Sequence, residues 1–481
     1  MTAPTALARL AAWSTSFASG SSPHAQKIAI HAIEDAVACT IAGAGDLAAA
    51  GVRSAIRNLG GGNATVFGGG RSNAVHAALA NGTAAHALDF DDVLVAGNTH
   101  AGAVLTAALL ALAEEYDRSG QEVVDAFIVG VQLQVALSRV MMPMHYLLGW
   151  HTTATIGCVG TAGACARLLG CDAHTTEHAM SLAVSMAGGM KVQFGTPAKP
   201  LQAGLSAQHA VQAVLLARAG LTGNSAALEG RLGLGELMGD RNQAPDWSRL
   251  DSVLAPGPLA IEGAGLMLKR YPCCGSNTRI LDALLELRQR EPFDAADVAR
   301  VDAQVADSNV QNLMYPQPKN GLEGRFSLQY SVAVALAYNA VGLRDFIPGA
   351  VQRAELQPLM GLTHMATFGA ATYPDRPDVR RPHQLRITLK DGRVLHHECA
   401  NPKGTNSQPF EEADRRAKFE DCSAWILPAE CMHAVRSVLA KIDRCAHLRD
   451  LTQLLNFEAG GDEGQRFAIT AVPAKAVVPH W

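Results

Sequence analysis

A chain of 481 residues with 48% hydrophobic and 17% charged residues is long enough for two or three domains and too apolar to be disordered. Its formal charge of −4 comes with no basic run, so nucleic-acid binding has no electrostatic footprint, and a small anionic ligand would depend on a few local cations. Aromatics at 5% beside abundant alanine and glycine favour close-packed helices over a β-sandwich.

In chain order, the first residues lack an acid until Glu34, a transit-peptide composition, but a first amphipathic helix ending near Ser19 is the better reading. From residue 24 to about 262 the pattern is helical. Ile30, Ile33, Val37 and Ile41 recur at helical spacing and Gly43 closes that run. Leu105, Leu109 and Leu112 repeat it, and further helices are predicted over 120–140, 152–169, 174–188, 205–220 and 225–238. The apolar stretch Phe127 to Val140 is interrupted by Gln132, Gln134, Ser138 and Arg139 and reads as a buried helix, not a membrane span. After residue 264 the character changes. A helix over 279–291 is followed by Val301, Ala303 and Val305 alternating with polar residues, which is strand period. Leu385, Ile387 and Leu389 alternate into Asp391-Gly392, a hairpin signal, and helical pattern resumes over 410–422 and 428–443. The expected architecture is mainly α with an inserted α+β domain: a helical domain over 1–264 and 403–481, and a smaller α+β lid domain over 265–402.

Ten scattered cysteines without a C-x-x-C pair read as reduced thiols of a cytoplasmic protein. His396-His397-Glu398-Cys399 holds metal-ligand types, but neighbours on a strand face opposite ways, so one tetrahedral site cannot close there. No metal and no cofactor are expected. Gly60-Gly61-Gly62 and Gly68-Gly69-Gly70 lack phosphate-loop spacing and read as turns.

Four clusters offer chemistry. Asp89, Asp91 and Asp92 lie beside His86 and shortly before His100; carboxylates so close displace one another's pKa, although the same residues could cap a helix beginning near Thr99. His151 opens His-Thr-Thr-Ala-Thr, where a following helix would bias it toward neutrality; a plain helix-start histidine is the alternative. Lys199 stands between Pro197 and Pro200 in a restricted loop, which would present an ammonium at low entropic cost, against the ordinary exposed lysine. Lys269 and Arg270 precede Tyr271-Pro272-Cys273-Cys274 and could clamp a carboxylate or form a solvated pair.

Five segments, in order between about residues 25 and 440, together resemble the MmgE/PrpD family, which includes 2-methylcitrate dehydratases, cis-aconitate decarboxylases and iminodisuccinate epimerases. They are Asn81 to Asp92, Gly149 to Thr153, Phe194 to Leu201, Lys269 to Cys274, and Phe326 to Tyr330. The resemblance implies a helical domain with an α+β lid, a homodimer, and metal-independent lyase chemistry on a small polycarboxylate. By resemblance Asp89, His100, His151, Lys199 and Tyr330 match active-site positions, and Lys269 a substrate-contacting lysine; Arg270 and Cys274 join the substrate-binding set. Val93 stands where the family's decarboxylases carry threonine, Ala101 where they carry proline, and Cys274 where they carry histidine. Val93 and Cys274 leave the choice of reaction open: a 2-methylcitrate dehydratase-like hydro-lyase is put first, with decarboxylation, epimerisation or non-catalytic carboxylate binding as alternatives. In that scheme Asp89 or His151 is the base, His100 or a protonated neighbour the acid, and Lys199, Lys269 and Arg270 neutralise carboxylates.

Overall fold

The protein is described by a computed structural model covering residues 3–457 apart from Ser21, Arg241, Pro374 and Trp425. It divides into two compact units. Unit 1 takes the described residues of Met1–Val192, Ala198–Leu268 and Glu411–Trp481, and unit 2 takes Gln193–Pro197 and Lys269–Phe410.

Unit 1 is built of helices. Pro23–Gly43, Ala74–Ala87, Ala101–Glu115, Gly120–Met141, Ile156–Leu168 and Ala198–Arg218 carry its centre, and Glu412–Ser423 and Ala429–Leu439 return to it. Local chemistry starts and stops these helices as expected. Ser22 caps the first and Pro23 takes its opening position; Ser119 and Glu122 form a reciprocal capping box for Gly120–Met141. That helix is long and apolar enough to cross a membrane, but 94% of its most apolar stretch is buried inside the protein. Small residues set the packing. A Cβ on Gly204 would lie 2.3 Å from the carbonyl oxygen of Leu79, and one on Gly82 would lie 3.0 Å from the Gly204 Cα. Helices Ala74–Ala87 and Ala198–Arg218 therefore cross nearly backbone to backbone, which brings the end of one to the start of the other.

Several described stretches of unit 1 differ from the helical reading, Val93–Leu94 pairing with Leu266–Met267 among them. Only Leu234–Met238 of the expected 225–238 helix forms, because Gly230 and Gly233 interrupt the apolar pattern. Residues Ala64–Val66 and Gly70–Ser72 pair as a short antiparallel hairpin, with Gly68 and Gly70 at positive φ in its turn.

Unit 2 holds a four-stranded sheet in the order Val394–Cys399, His383–Leu389, Val298–Val305, Thr363–Thr367. The first two junctions are antiparallel and the last is parallel. The Asp391-Gly392 turn joins the strands on either side of it, with Gly392 at φ 89°. Leu385, Ile387 and Leu389 face the core with Val301, Ala303 and Val305, and helices Gly275–Arg290 and Leu328–Tyr338 supply the other wall. His397 bonds Glu286 at 2.9 Å, as its alternation on the strand allows.

Candidate active site

The site is assembled where the crossing of Ala74–Ala87 and Ala198–Arg218 delivers their ends. His86 lies in the last turn of the first helix, and Lys199 is the second residue of the other. This corrects the loop expected around Lys199. Pro200 falls in a first helical turn, where its missing N–H leaves no bond unmade. Past the first helix, Asp89 takes the left-handed conformation, φ 53°, in the stop position usually given to glycine. The chain turns back there and places the carboxylate against the neighbouring helix.

Lys199 Nζ is 3.0 Å from Asp89 Oδ1 and 2.7 Å from His86 Nε2. His86 Nδ1 meets both Asp91 oxygens, at 2.8 and 3.0 Å, and His100 Nδ1 lies 3.2 Å from Asp91 Oδ2. The rings of His86 and His100 have centroids 4.2 Å apart, and His86 and His151 5.9 Å. Lys199 and Asp89 are 3% exposed and His151 1%, so these groups interact in a low-dielectric interior. Their hydrogen bonds form a directed chain. A protonated Lys199 donates to Asp89 and to the His86 Nε2 lone pair, and a neutral His86 donates Nδ1–H to Asp91.

Burial lowers the His86 pKa, reinforced by the Lys199 charge and opposed by Asp91. Burial alone would raise Asp91, but the His86 and His100 imidazoles beside it hold its carboxyl well below the usual range. His151 is pushed well below its ordinary value by burial and then by Lys199, His86 and His100. A helix end is not the cause, because His151 precedes the helix Ile156–Leu168 by a turn. Asp92 goes the other way, raised well above the ordinary value by burial and then by Asp91 and Asp35. It does not join the cluster. Its Oδ1 accepts from Gly102 N at 2.8 Å and caps the helix Ala101–Glu115, for which His100 supplies no side-chain cap.

A buried frame holds the loop. Lys418 Nζ donates to the Phe90 carbonyl at 2.8 Å, pairs with Asp35 at 2.7 Å and stands over the Phe90 ring. The threonines after His151 stitch neighbouring segments: Thr152 donates to the Asn98 carbonyl, Thr153 accepts from His100 N, and Ser206 donates to the Thr153 carbonyl.

Residues 8–246 match the MmgE/PrpD N-terminal domain, and residues 271–443 the MmgE/PrpD C-terminal domain. The chain belongs to the MmgE/PrpD family. Over 410 residues it is 28% identical to the cis-aconitate decarboxylase of Mus musculus, covering 82% of this chain and 80% of that one. The Homo sapiens cis-aconitate decarboxylase is 26% identical over 79% of each chain. That of Aspergillus terreus is 22% identical over 79% of this chain and 81% of its own.

In this MmgE/PrpD chain Asp89, His100, His151 and Lys199 come together within unit 1. Lys269, Arg270, Cys274 and Tyr330 belong to unit 2. There Lys269 is fully buried, and Arg270 pairs with Asp282 at 3.1 Å, which also accepts from the Tyr271 hydroxyl at 2.7 Å. Cys274 opens the helix Gly275–Arg290. Tyr330 is buried in the unit's core with its hydroxyl donating to the Asp345 carbonyl. His86, Asp91 and Gln202 also belong to the unit 1 cluster; His86 and Asp91 stand in the aspartate–histidine run, but the resemblance assigns none of the three an active-site position. Gln202 follows Lys199 by three positions on one helix, a same-face spacing that would have pointed to it.

His86, His100 and His151 each offer a ring nitrogen within 4.8 Å of the others, a separation suited to a divalent cation. His86, Asp89, Asp91 and His100 form a second group of this kind, and both groups include His86. His86 Nε2 already faces the Lys199 amine at 2.7 Å, and a protonated amine there would repel a second cation.

Proposed function

We propose that this chain is a lyase that breaks a bond beside a carboxylate in a small polycarboxylate of the citrate or aconitate type. The observation that carries this reading is the buried Lys199–His86–Asp91 chain, with Asp89 on the same amine and a neutral His151 nearby. An ammonium there can bind a substrate carboxylate or give up a proton, and His86 is placed to share that proton. A neutral imidazole can accept one from carbon.

The names of the relatives favour loss of carbon dioxide over the loss of water that the sequence motifs put first. In decarboxylation the carbon–carbon bond breaks, carbon dioxide leaves, the electron pair stays on the unsaturated acid, and His151 Nε2, after taking a proton from Lys199 or His100, passes it to the developing carbanion. Val93, Ala101 and Cys274, which depart from the decarboxylases, favour the second reading. In that reading His151 removes the proton beside a carboxylate, and the hydroxyl leaves as water with a proton from His100 or Lys199. Lys269 is proposed as a further carboxylate contact on the strength of the family resemblance.

Purified protein should be offered cis-aconitate, 2-methylcitrate and iminodisuccinate with and without chelator, with products followed by proton NMR. Turnover of cis-aconitate with release of carbon dioxide, unaffected by chelator, is the expected result. Turnover of 2-methylcitrate alone would select dehydration. Thermal stabilisation by all three acids without any product would reject a lyase and leave a carboxylate-binding protein.

A further inference from the structure

His151 can act on carbon only through a nitrogen that carries a lone pair, and a neutral imidazole has one such nitrogen. Which one is settled by the partner of the other. His151 Nδ1 lies 2.6 Å from Gln202 Oε1, and Gln202 Nε2 lies 3.2 Å from the Met190 carbonyl oxygen. The carbonyl accepts only, so the amide nitrogen must face Met190; turning the amide over would set two oxygens against each other. Gln202 Oε1 is thereby fixed toward His151, and because it too accepts only, Nδ1 must carry the proton.

One short segment anchors both partners. The Gly189 carbonyl accepts from His151 N at 3.0 Å, and Met190 next to it holds the Gln202 amide. A Cβ on Gly189 would lie 2.5 Å from Ala154 Cβ and 3.0 Å from Gln202 Oε1, so only glycine lets the segment approach both. Lys199, His86 and His100 are the titratable groups that face the ring, and Gln202 contributes no charge.

We propose that Gln202 is a positioning residue that holds His151 in its Nδ1–H form, so that Nε2 is the nitrogen that exchanges a proton with substrate. The role given to Nε2 rests on the lyase reading above; the tautomer does not.

The test uses full-length protein with ¹⁵N-labelled histidine, the His151 signals being assigned by their loss in His151→Gln. At pH 7.5 the wild type should show a protonated Nδ1 and a bare Nε2, and Gln202→Leu a mixture of tautomers. On whichever substrate is turned over, Gln202→Leu should lose at least about tenfold in kcat with little change in KM. Gln202→Glu keeps an acceptor on Nδ1, adds a negative charge and gives up the bond to the Met190 carbonyl. It should retain the tautomer and move the acidic limb of the kcat profile upward by about one pH unit or more. Should Gln202→Leu not fold, the wild-type spectrum and the Gln202→Glu profile decide. An Nε2–H ring in the wild type would overturn the proposal while leaving the lyase reading to the substrate panel. The expected tautomer with undiminished kcat in Gln202→Leu would overturn it through the chemistry, because a ring in mixed tautomers would then serve as well as a positioned one.

Discussion

At Asp89 a local backbone choice places a carboxylate on a buried amine. Its left-handed φ of 53° is tolerated by aspartate and asparagine far better than by other side chains, and it turns the carboxylate onto Lys199. Asp89→Asn should keep the turn and an acceptor for Lys199 while removing the charge. Near-normal thermal stability with turnover reduced at least about tenfold is expected from melting and steady-state kinetics. Asp92 supplies a contrast from the same loop. Because burial holds it toward the protonated form, Asp92→Asn should leave stability at pH 8 unchanged or raised. Asp92→Ala loses the bond to Gly102 N and should cost about 1 kcal/mol in urea denaturation.

Between elements, the close crossing at Gly82 and Gly204 sets the Lys199–His86 separation. Gly204→Ala would have to push helix Ala198–Arg218 away from the Leu79 carbonyl. A loss of about 1–3 kcal/mol from strained packing, together with reduced turnover, is expected. Lys418 is the corresponding device for the loop. Lys418→Met would leave Asp35 buried without its countercharge, a change worth about 3–5 kcal/mol in denaturation experiments. Such elements were legible in part. The 3.6-residue periods and the Asp391-Gly392 hairpin are local signals, and they named most of the longer helices and three strands. The parallel addition of Thr363–Thr367 to Val298–Val305 is a pairing between distant segments with no local mark. Lys199 was recognised, but its helix was not, because flanking prolines suggest a loop until Pro200 is seen to occupy a first turn. Arg270 looked available for a ligand because nothing in its neighbourhood of sequence shows Asp282 turning inward from the next helix. His86 and Asp91 were visible as types, and only the fold makes them consecutive partners.

Across the whole molecule, buried histidines make stability depend on pH in a definite direction. His31 and His145 are each lowered to about 4, and His86 and His151 are lowered as well, all by burial first. Groups whose folded pKa is depressed contribute stability that is present above the unfolded value of 6.5. That contribution is lost as pH falls through the folded values. Asp91, also depressed, keeps its contribution until pH falls below the ordinary carboxylate range near 3.8. Melting temperature should therefore fall between pH 6.5 and 4, before carboxylate protonation accounts for acid unfolding. A flat profile across that window would mean that the imidazoles are not held neutral or are offset by carboxyls that burial raises, Asp92 among them.

The Lys199 amine, shared between Asp89 and His86, is proposed to take part in the reaction, and the roles given to its partners depend on it. The most direct check is kcat of Lys199→Met beside the wild type on the substrate that the panel identifies, with melting curves for both. A folded variant whose turnover has dropped by at least about a hundredfold is expected. A folded variant with wild-type turnover would contradict it.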